Sequence, residues 1–422
     1  MTNKNFRVNL VYVFGFICAF HSPTGHPLVE LALPFLLLAS FFISSARYGL
    51  KKVFAYSFIY IFASCLFFSL FYIFSGQASS ISSLYPGIYS SFLYQSLRVL
   101  LLPIAMVTGY SFSSLANYKS YIDGLLRGLI LSIAIGIFLV LINSADFRLR
   151  GFSGEPRHLG QLISVTFLLY ITSRRLVTFK KSYLFNVLPF FLPLTFSFTG
   201  IMSLFAPITT YFSINRIALF FKLRASRLFF YCSLLFGIFA LMVIFFAEFI
   251  LRARGINLTF SEHFNILTFL DYALAKDTVP LRYMIASPLS FLSGLGPSGL
   301  QIQFISTKLS LILPTPHLAS VEIFEPYFNS SVLESILVPS SSGLYFISIS
   351  GIVPLIFLFH SLKQSLMVKC YSDSPITTFS FYISLAFLTL FASYSNFIIL
   401  IFALSLTFTT RPDALNKVAK KI

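Results

Sequence analysis

Long apolar stretches, separated by short polar groups, recur from one end of the chain to the other. Inside them the polar positions do not alternate as they would in a half-buried strand, and residues 53–74 are apolar all round. A run of that kind is long enough to cross a hydrocarbon core of about 30 Å as a helix. In lipid every backbone amide must be satisfied within its own segment, which makes a helix bundle the default. A β-barrel would show short alternating segments instead. The pattern predicts twelve spanning helices, at residues 8–22, 28–45, 53–74, 91–115, 124–143, 157–173, 183–199, 200–214, 228–250, 339–360, 376–391 and 394–409. The seventh and eighth share one stretch interrupted only at SFTG, residues 197–200, and form either a helical hairpin or a re-entrant pair. One connection is long. Residues 251–338 separate an N-terminal set of nine spans (residues 1–250) from a C-terminal set of three with a tail (residues 339–422). The expected fold is an all-α polytopic membrane protein, a bundle of about twelve helices with one large loop.

Charge orients this bundle. Only 10% of the residues are Asp, Glu, Lys or Arg, against roughly 25% in soluble domains. If both termini lie in the cytoplasm, alternate connections collect the basic residues. Of the 30 lysines and arginines only nine fall on the other side: Arg98, Arg148, Arg150, Arg157, Arg252, Arg254, Lys276, Arg282 and Lys308. Of the acidic residues only Asp123, Asp373 and Asp413 fall inside. This is the positive-inside distribution. The net charge of +17 is therefore a topology signal, and no nucleic-acid partner is expected. Lys4 and Arg7 before the first apolar run imitate a signal peptide, but no small-residue cleavage pattern follows, so the run is read as a retained first helix. Cys18, Cys65, Cys232 and Cys370 form no CxxC and no Cys/His cluster, which predicts neither disulfides nor structural zinc.

The arginines on the outer face need their own account. In the stretch RLRGFSGEPRHLG, Pro156 suits the first turn of a helix, where its missing N–H costs nothing. Glu155 is then placed to cap that helix against the positive end of its dipole. Arg148, Arg150 and Arg157 would ring the helix start. Free N–H groups and guanidinium forks together suit a phosphate or diphosphate; interfacial arginines that snorkel would give the same spacing. Arg98, inside the fourth span near its outer end, is open to both readings, since a charge in a span is a functional hypothesis by default. His26 and Glu30, four residues apart at the start of the second span, read as a helix pair.

The stretch RGFSGEPRHLG, residues 150–160, resembles the signature of bacterial O-antigen and capsular polysaccharide polymerases of the Wzy type, an arginine and a Gly-Phe followed by EP-x-H. Three more segments fit that family in order. LTFSFTGIMSLF (194–205) is similar to the helix after the signature. RYMIASPLSFLSGLGPSG (282–299) is similar to the arginine and Gly-x-Gly turn of the family's periplasmic loop. SGLYFISISGIVPLIFL (342–358) is similar to the helix with a Gly-Ile near its middle that follows the loop. There are departures: Arg157 stands where serine is common, and the histidine that relatives place before the helix ending the loop is missing, with His317 the nearest.

The resemblance implies a GT-C-like glycosyltransferase of the bacterial inner membrane that acts at the periplasmic face. Its substrate would be an undecaprenyl-diphosphate-linked oligosaccharide, and a flippase and a chain-length regulator would be its partners. Arg150 and Arg282 are then expected on the diphosphate, with Arg157 and Arg98 as auxiliaries. Glu155, His158 and His317 are the candidates for the base; His158 packed in a first helical turn and His317 as a plain loop residue are the alternatives. With no Asp/His metal cluster in the sequence, the arginines are expected to do a metal's work, and no cofactor is expected. An O-antigen ligase shares this plan. A transporter or lipid-sugar flippase would place ionisable groups or broken helices near mid-membrane.

Overall fold

The computed structural model describes residues 3–21, 27–43, 52–77, 79, 88–142, 148–153, 155–173, 176–180, 182–195, 197, 199–205, 207, 288–299, 302, 342–362 and 392–408. Every element among them is helical. The helices are α1 (Asn3–Ile17), α2 (Leu28–Ile43), α3 (Lys52–Phe74), α4 (Ile88–Ser111), α5 (Leu115–Ile142), α6 (Pro156–Ser173), α7 (Ser182–Val187), α8 (Pro288–Ser293), α9 (Ser342–Ser350), α10 (Ile352–Leu362) and α11 (Tyr394–Leu406). Two of them, over Tyr89–Ser111 and Leu115–Ile142, are long and apolar enough to cross a membrane. The expected ninth and eleventh spans, and most of the long connection with Arg282 and His317, lie outside the described residues.

The chain divides into two compact units. The first comprises Met1–Tyr48, Ile104–Phe264 and Leu362–Ile422. Among the described residues its closest joint is α1 against α5, and small residues make that joint possible. A Cβ on Gly124 would fall on the backbone oxygen of Tyr12, one on Gly15 on that of Tyr121, and one on Gly128 would lie 2.5 Å from that of Phe16. Gly124 and Gly128 are four apart and so share a helix face, the small-xxx-small arrangement that lets two backbones approach. An aromatic group closes the joint. The ring of Phe402 on α11 lies 4.8 Å from that of Phe14 and 5.1 Å from that of Tyr121, whose hydroxyl donates to Ile399 O at 3.3 Å. α6 joins through Tyr118, whose hydroxyl donates to Leu169 O at 3.2 Å. Side chains left exposed on this unit are largely apolar, among them Phe35, Phe138 and Leu141.

The expected seventh span is not one helix. Over residues 182–195 the chain forms α7, then 3-10 turns at Leu188–Phe191 and Pro193–Thr195. Pro189 and Pro193 explain the change, because proline lacks the N–H that an α-helix interior needs and clashes with the preceding turn.

The second unit comprises Gly49–Pro103 and Asn265–Ser361. The expected span at 339–360 is also interrupted here. Gly351, at φ +79°, separates α9 from α10, a left-handed conformation that suits glycine. The GLGPSG turn that follows α8 fills the interruption: Leu295 N–H donates to Ser348 O at 2.8 Å and Gly296 N–H to Ile349 O at 3.0 Å. Tyr72 on α3 donates to Leu295 O at 2.8 Å, and Gln95 on α4 accepts Ser298 N–H at 2.8 Å. A turn expected above the helices is thus seated beside one of them, six to seven residues below Ser342, or roughly 10 Å along the axis.

Candidate functional site

Four segments that the charge alternation assigns to one face meet at one end of the first unit. The rings of His21, just past α1, and His158, in the first turn of α6, have centroids 5.6 Å apart. Glu30 at the start of α2 accepts the Ser395 hydroxyl at the start of α11. Leu149 N–H donates to Leu194 O at 2.8 Å, and a Cβ on Gly160 would lie 3.2 Å from the Gly200 Cα. At the other end lie segments assigned to the opposite face: Ser120 donates to Val8 O at 2.8 Å, and the Tyr110 ring lies 5.9 Å from that of Phe408.

The signature itself is held rigidly. Leu149 and Gly151 are buried, while Arg150 and Phe152 are exposed, so the segment turns two side chains in and two out. Gly151 has φ +58°, and a Cβ there would lie 2.5 Å from Ser132 Oγ, so both the conformation and the space exclude other residues. Ser132 Oγ in turn accepts Phe152 N–H at 3.1 Å. A 3-10 turn, Gly151–Ser153, then leads towards α6, which starts at Pro156 as its proline requires.

At that start Glu155 Oε2 lies 3.8 Å from Arg157 Nη2 and 3.5 Å from His158 Nε2. These are ion-pair separations longer than a good hydrogen bond. Glu155 is 63% exposed, so each contact is worth roughly 0–1 kcal/mol to the fold. Among the described residues Arg157 Nε is buried and meets no acceptor. A donor left in that state costs about 1–3 kcal/mol unless an ordered water or a ligand meets it. Of the other residues expected here, Arg148 is half-buried beside Leu149. Arg98 belongs to the second unit, with its guanidinium 4.9 Å from the Tyr345 ring centroid and 5.7 Å from that of Tyr94, cation–π distances both.

Below His158 the structure adds residues that the sequence pattern does not single out. Gln161, three residues on and 1% exposed, accepts Ser393 N–H at 2.9 Å and the Asn396 amide at 3.2 Å. The same amide reaches His158 O at 3.5 Å. A clamp of buried amides thus ties the starts of α6 and α11 together under the histidine. The sequence signal was the polar run SYSN, residues 393–396, between two apolar runs. Replacing Gln161 by leucine leaves two donors without their acceptor, which costs about 1–3 kcal/mol each. Gln161→Leu is expected to lower the unfolding temperature in detergent by several degrees. Adding Asn396→Leu should lower it by less than the sum of the single changes, because one of the stranded donors is then gone. Strictly additive shifts in thermal scans would show that the clamp does not act as a unit.

No family model, curated protein or solved structure matches the chain.

Proposed function

We propose that the protein is a polysaccharide polymerase of the bacterial inner membrane, with both termini cytoplasmic and residues 251–338 forming a periplasmic loop. It joins undecaprenyl-diphosphate-linked oligosaccharide repeats at the periplasmic face. The observation that carries this reading is the start of α6. There Glu155, Arg157 and His158 stand together, with Arg148 and Arg150 just before them, at the end of the unit where the predicted outer segments meet. The EP-x-H resemblance adds the substrate class, and the apolar exposed faces fit a bilayer.

A hydroxyl of the lipid-linked acceptor attacks the anomeric carbon of the growing chain. The bond from that carbon to the diphosphate breaks, the diphosphate leaves with its electron pair, and a base takes the hydroxyl proton. Arg150 and Arg282, helped by Arg157 and Arg98, stabilise the charge that gathers on the leaving oxygens. His158 or Glu155 accepts the proton, with His317 as the third candidate; such help is typically worth ~10²–10⁴-fold. Their mutual distance of 3.5 Å suits Glu155 to orient His158 as well.

Three experiments test the reading. A periplasm-active reporter fused after Asn257 is expected to be active and one fused after Lys222 silent, and the reverse pattern overturns the topology. In a deletion strain single repeats should still reach lipid A core, whereas loss of a ligase would leave none attached and lipid-linked polymer accumulating. Purified protein given lipid-linked repeats should build polymer in chelator, and activity that returns only with magnesium would overturn the arginine mechanism. A flippase is the second reading, favoured by the helix interruption at Gly351. The carbonyls freed there accept N–H groups of Leu295 and Gly296, as in a structural joint, and the polymerase reading is preferred.

A further inference from the structure

Phe152 is 44% exposed, yet its backbone is tied down on both sides. Gly151 before it is locked at φ +58°, its own N–H is bonded to Ser132 Oγ at 3.1 Å, and Leu149 is pinned to Leu194. Its ring meets that of Phe20 nearly edge to face, with centroids 5.2 Å apart and planes at 70°. Exposed aromatic side chains such as Phe35, Phe67 and Phe138 lie along α-helices, and Phe190 lies in the apolar 3-10 turn at Leu188–Phe191. Phe152 instead lies in a 3-10 turn between Arg150 and Glu155. The fold thus presents an ordered ring among charged groups.

We propose that Phe152 is the platform on which the first sugar of the lipid-linked repeat packs. The proposal rests on the polymerase reading above. The first sugar is bonded directly to the diphosphate, so whatever recognises it must lie close in space to whatever holds the phosphates. Arg150 and Phe152, two residues apart, have Cα atoms at most about 7 Å apart. One face of a pyranose ring carries several C–H bonds, polarised positive by the oxygens beside them. An aromatic face carries the complementary partial negative charge; between two aromatic rings the same attraction is worth enough to change affinity about two- to tenfold, and an effect of that order is expected here. An aliphatic side chain of similar size offers apolar area without that charge.

The chain contains no tryptophan, so Phe152→Trp creates a single fluorescent reporter at the proposed platform. In detergent, lipid-linked repeats extracted from the producing strain should shift or quench its emission, and undecaprenyl diphosphate without sugar should not. Identical responses to the two lipids, with wild-type protein still elongating chains, overturn the platform and leave the polymerase reading intact. No response to either lipid, together with no elongation by the wild-type protein, overturns both. A second pair of variants covers the case in which tryptophan disturbs the turn. Phe152→Tyr should keep KM for lipid-linked repeats within about twofold, and Phe152→Leu should raise it about five- to tenfold. Equal KM values for tyrosine and leucine overturn the proposal, because a ring that only touches lipid tails would tolerate either.

Discussion

Arg150→Ala should slow chain elongation at least about a hundredfold, the scale seen when a group aimed at developing charge is removed. The protein itself should accumulate as before. Arg150 is exposed, and the backbone on either side of it is held by the Leu149 N–H bond to Leu194 O and the Phe152 N–H bond to Ser132 Oγ. Truncation of a surface side chain usually changes stability by no more than about 0.5 kcal/mol, and immunoblots of the membrane fraction separate lost activity from lost protein. Lysine should rescue poorly, since a point charge does not reproduce a planar two-pronged contact with phosphate oxygens. Arg282→Ala is expected to behave in the same way. Polymer of full length made by both alanine variants, read on a gel of extracted glycans, would remove the arginines from the mechanism.

The second large effect is structural. Gly128→Leu should prevent the protein from accumulating. A Cβ at Gly128 would already lie 2.5 Å from Phe16 O and 2.9 Å from the Ala19 Cβ, both on the facing chain. Backbone cannot swing aside as a side chain can, so α1 would have to leave α5 and the Phe14–Tyr121–Phe402 cluster would open with it. Overpacking in a close joint costs typically 1–3 kcal/mol and occasionally more. Loss of three aromatic neighbours adds to that. Immunoblots of membrane fractions should show at least a severalfold drop, and Gly128→Ala a smaller one. Wild-type levels of the leucine variant would mean that the α1–α5 joint is not as close as described.

Local chemistry was legible in the sequence, and partnership was not. Pro156 marks the first residue of α6, and the apolar run before the tail gives α11 to within a few residues, because proline geometry and hydropathy act where they stand. The seventh apolar stretch is helical over residues 182–195 but changes from α to 3-10 for a local reason too: hydropathy ignores the missing N–H groups of Pro189 and Pro193. The pairing of Gln161 with Ser393 and Asn396 was not legible for a different reason. Their hydrogen bonds link residues 232 and 235 positions apart, and no periodicity within a segment says which distant segment it will meet. Gly124 and Gly128 carry the same lesson, since the motif marks a close approach without naming the helix that approaches. Within the site, the run of Arg148, Arg150, Glu155, Arg157 and His158 was evident as an excess of charge. The neighbour His21 was not, because a histidine at the end of an apolar run looks ordinary.

The turn lodged at Gly351 bears on how the chain is assembled. Residues 294–299 are synthesised well before α9 and α10, yet the backbone groups they satisfy do not exist until those helices form. In the polymerase reading that helix pair enters the bilayer with the carbonyls of Ser348 and Ile349 still lacking the N–H groups of Leu295 and Gly296. An unsatisfied backbone group in hydrocarbon costs several kcal/mol. Insertion would therefore be completed from outside, by an earlier part of the chain folding back once the later helices are in place. Biogenesis then has a late step with its own signature: a protease site placed in the turn should be cut in newly made protein and become resistant as the chain matures.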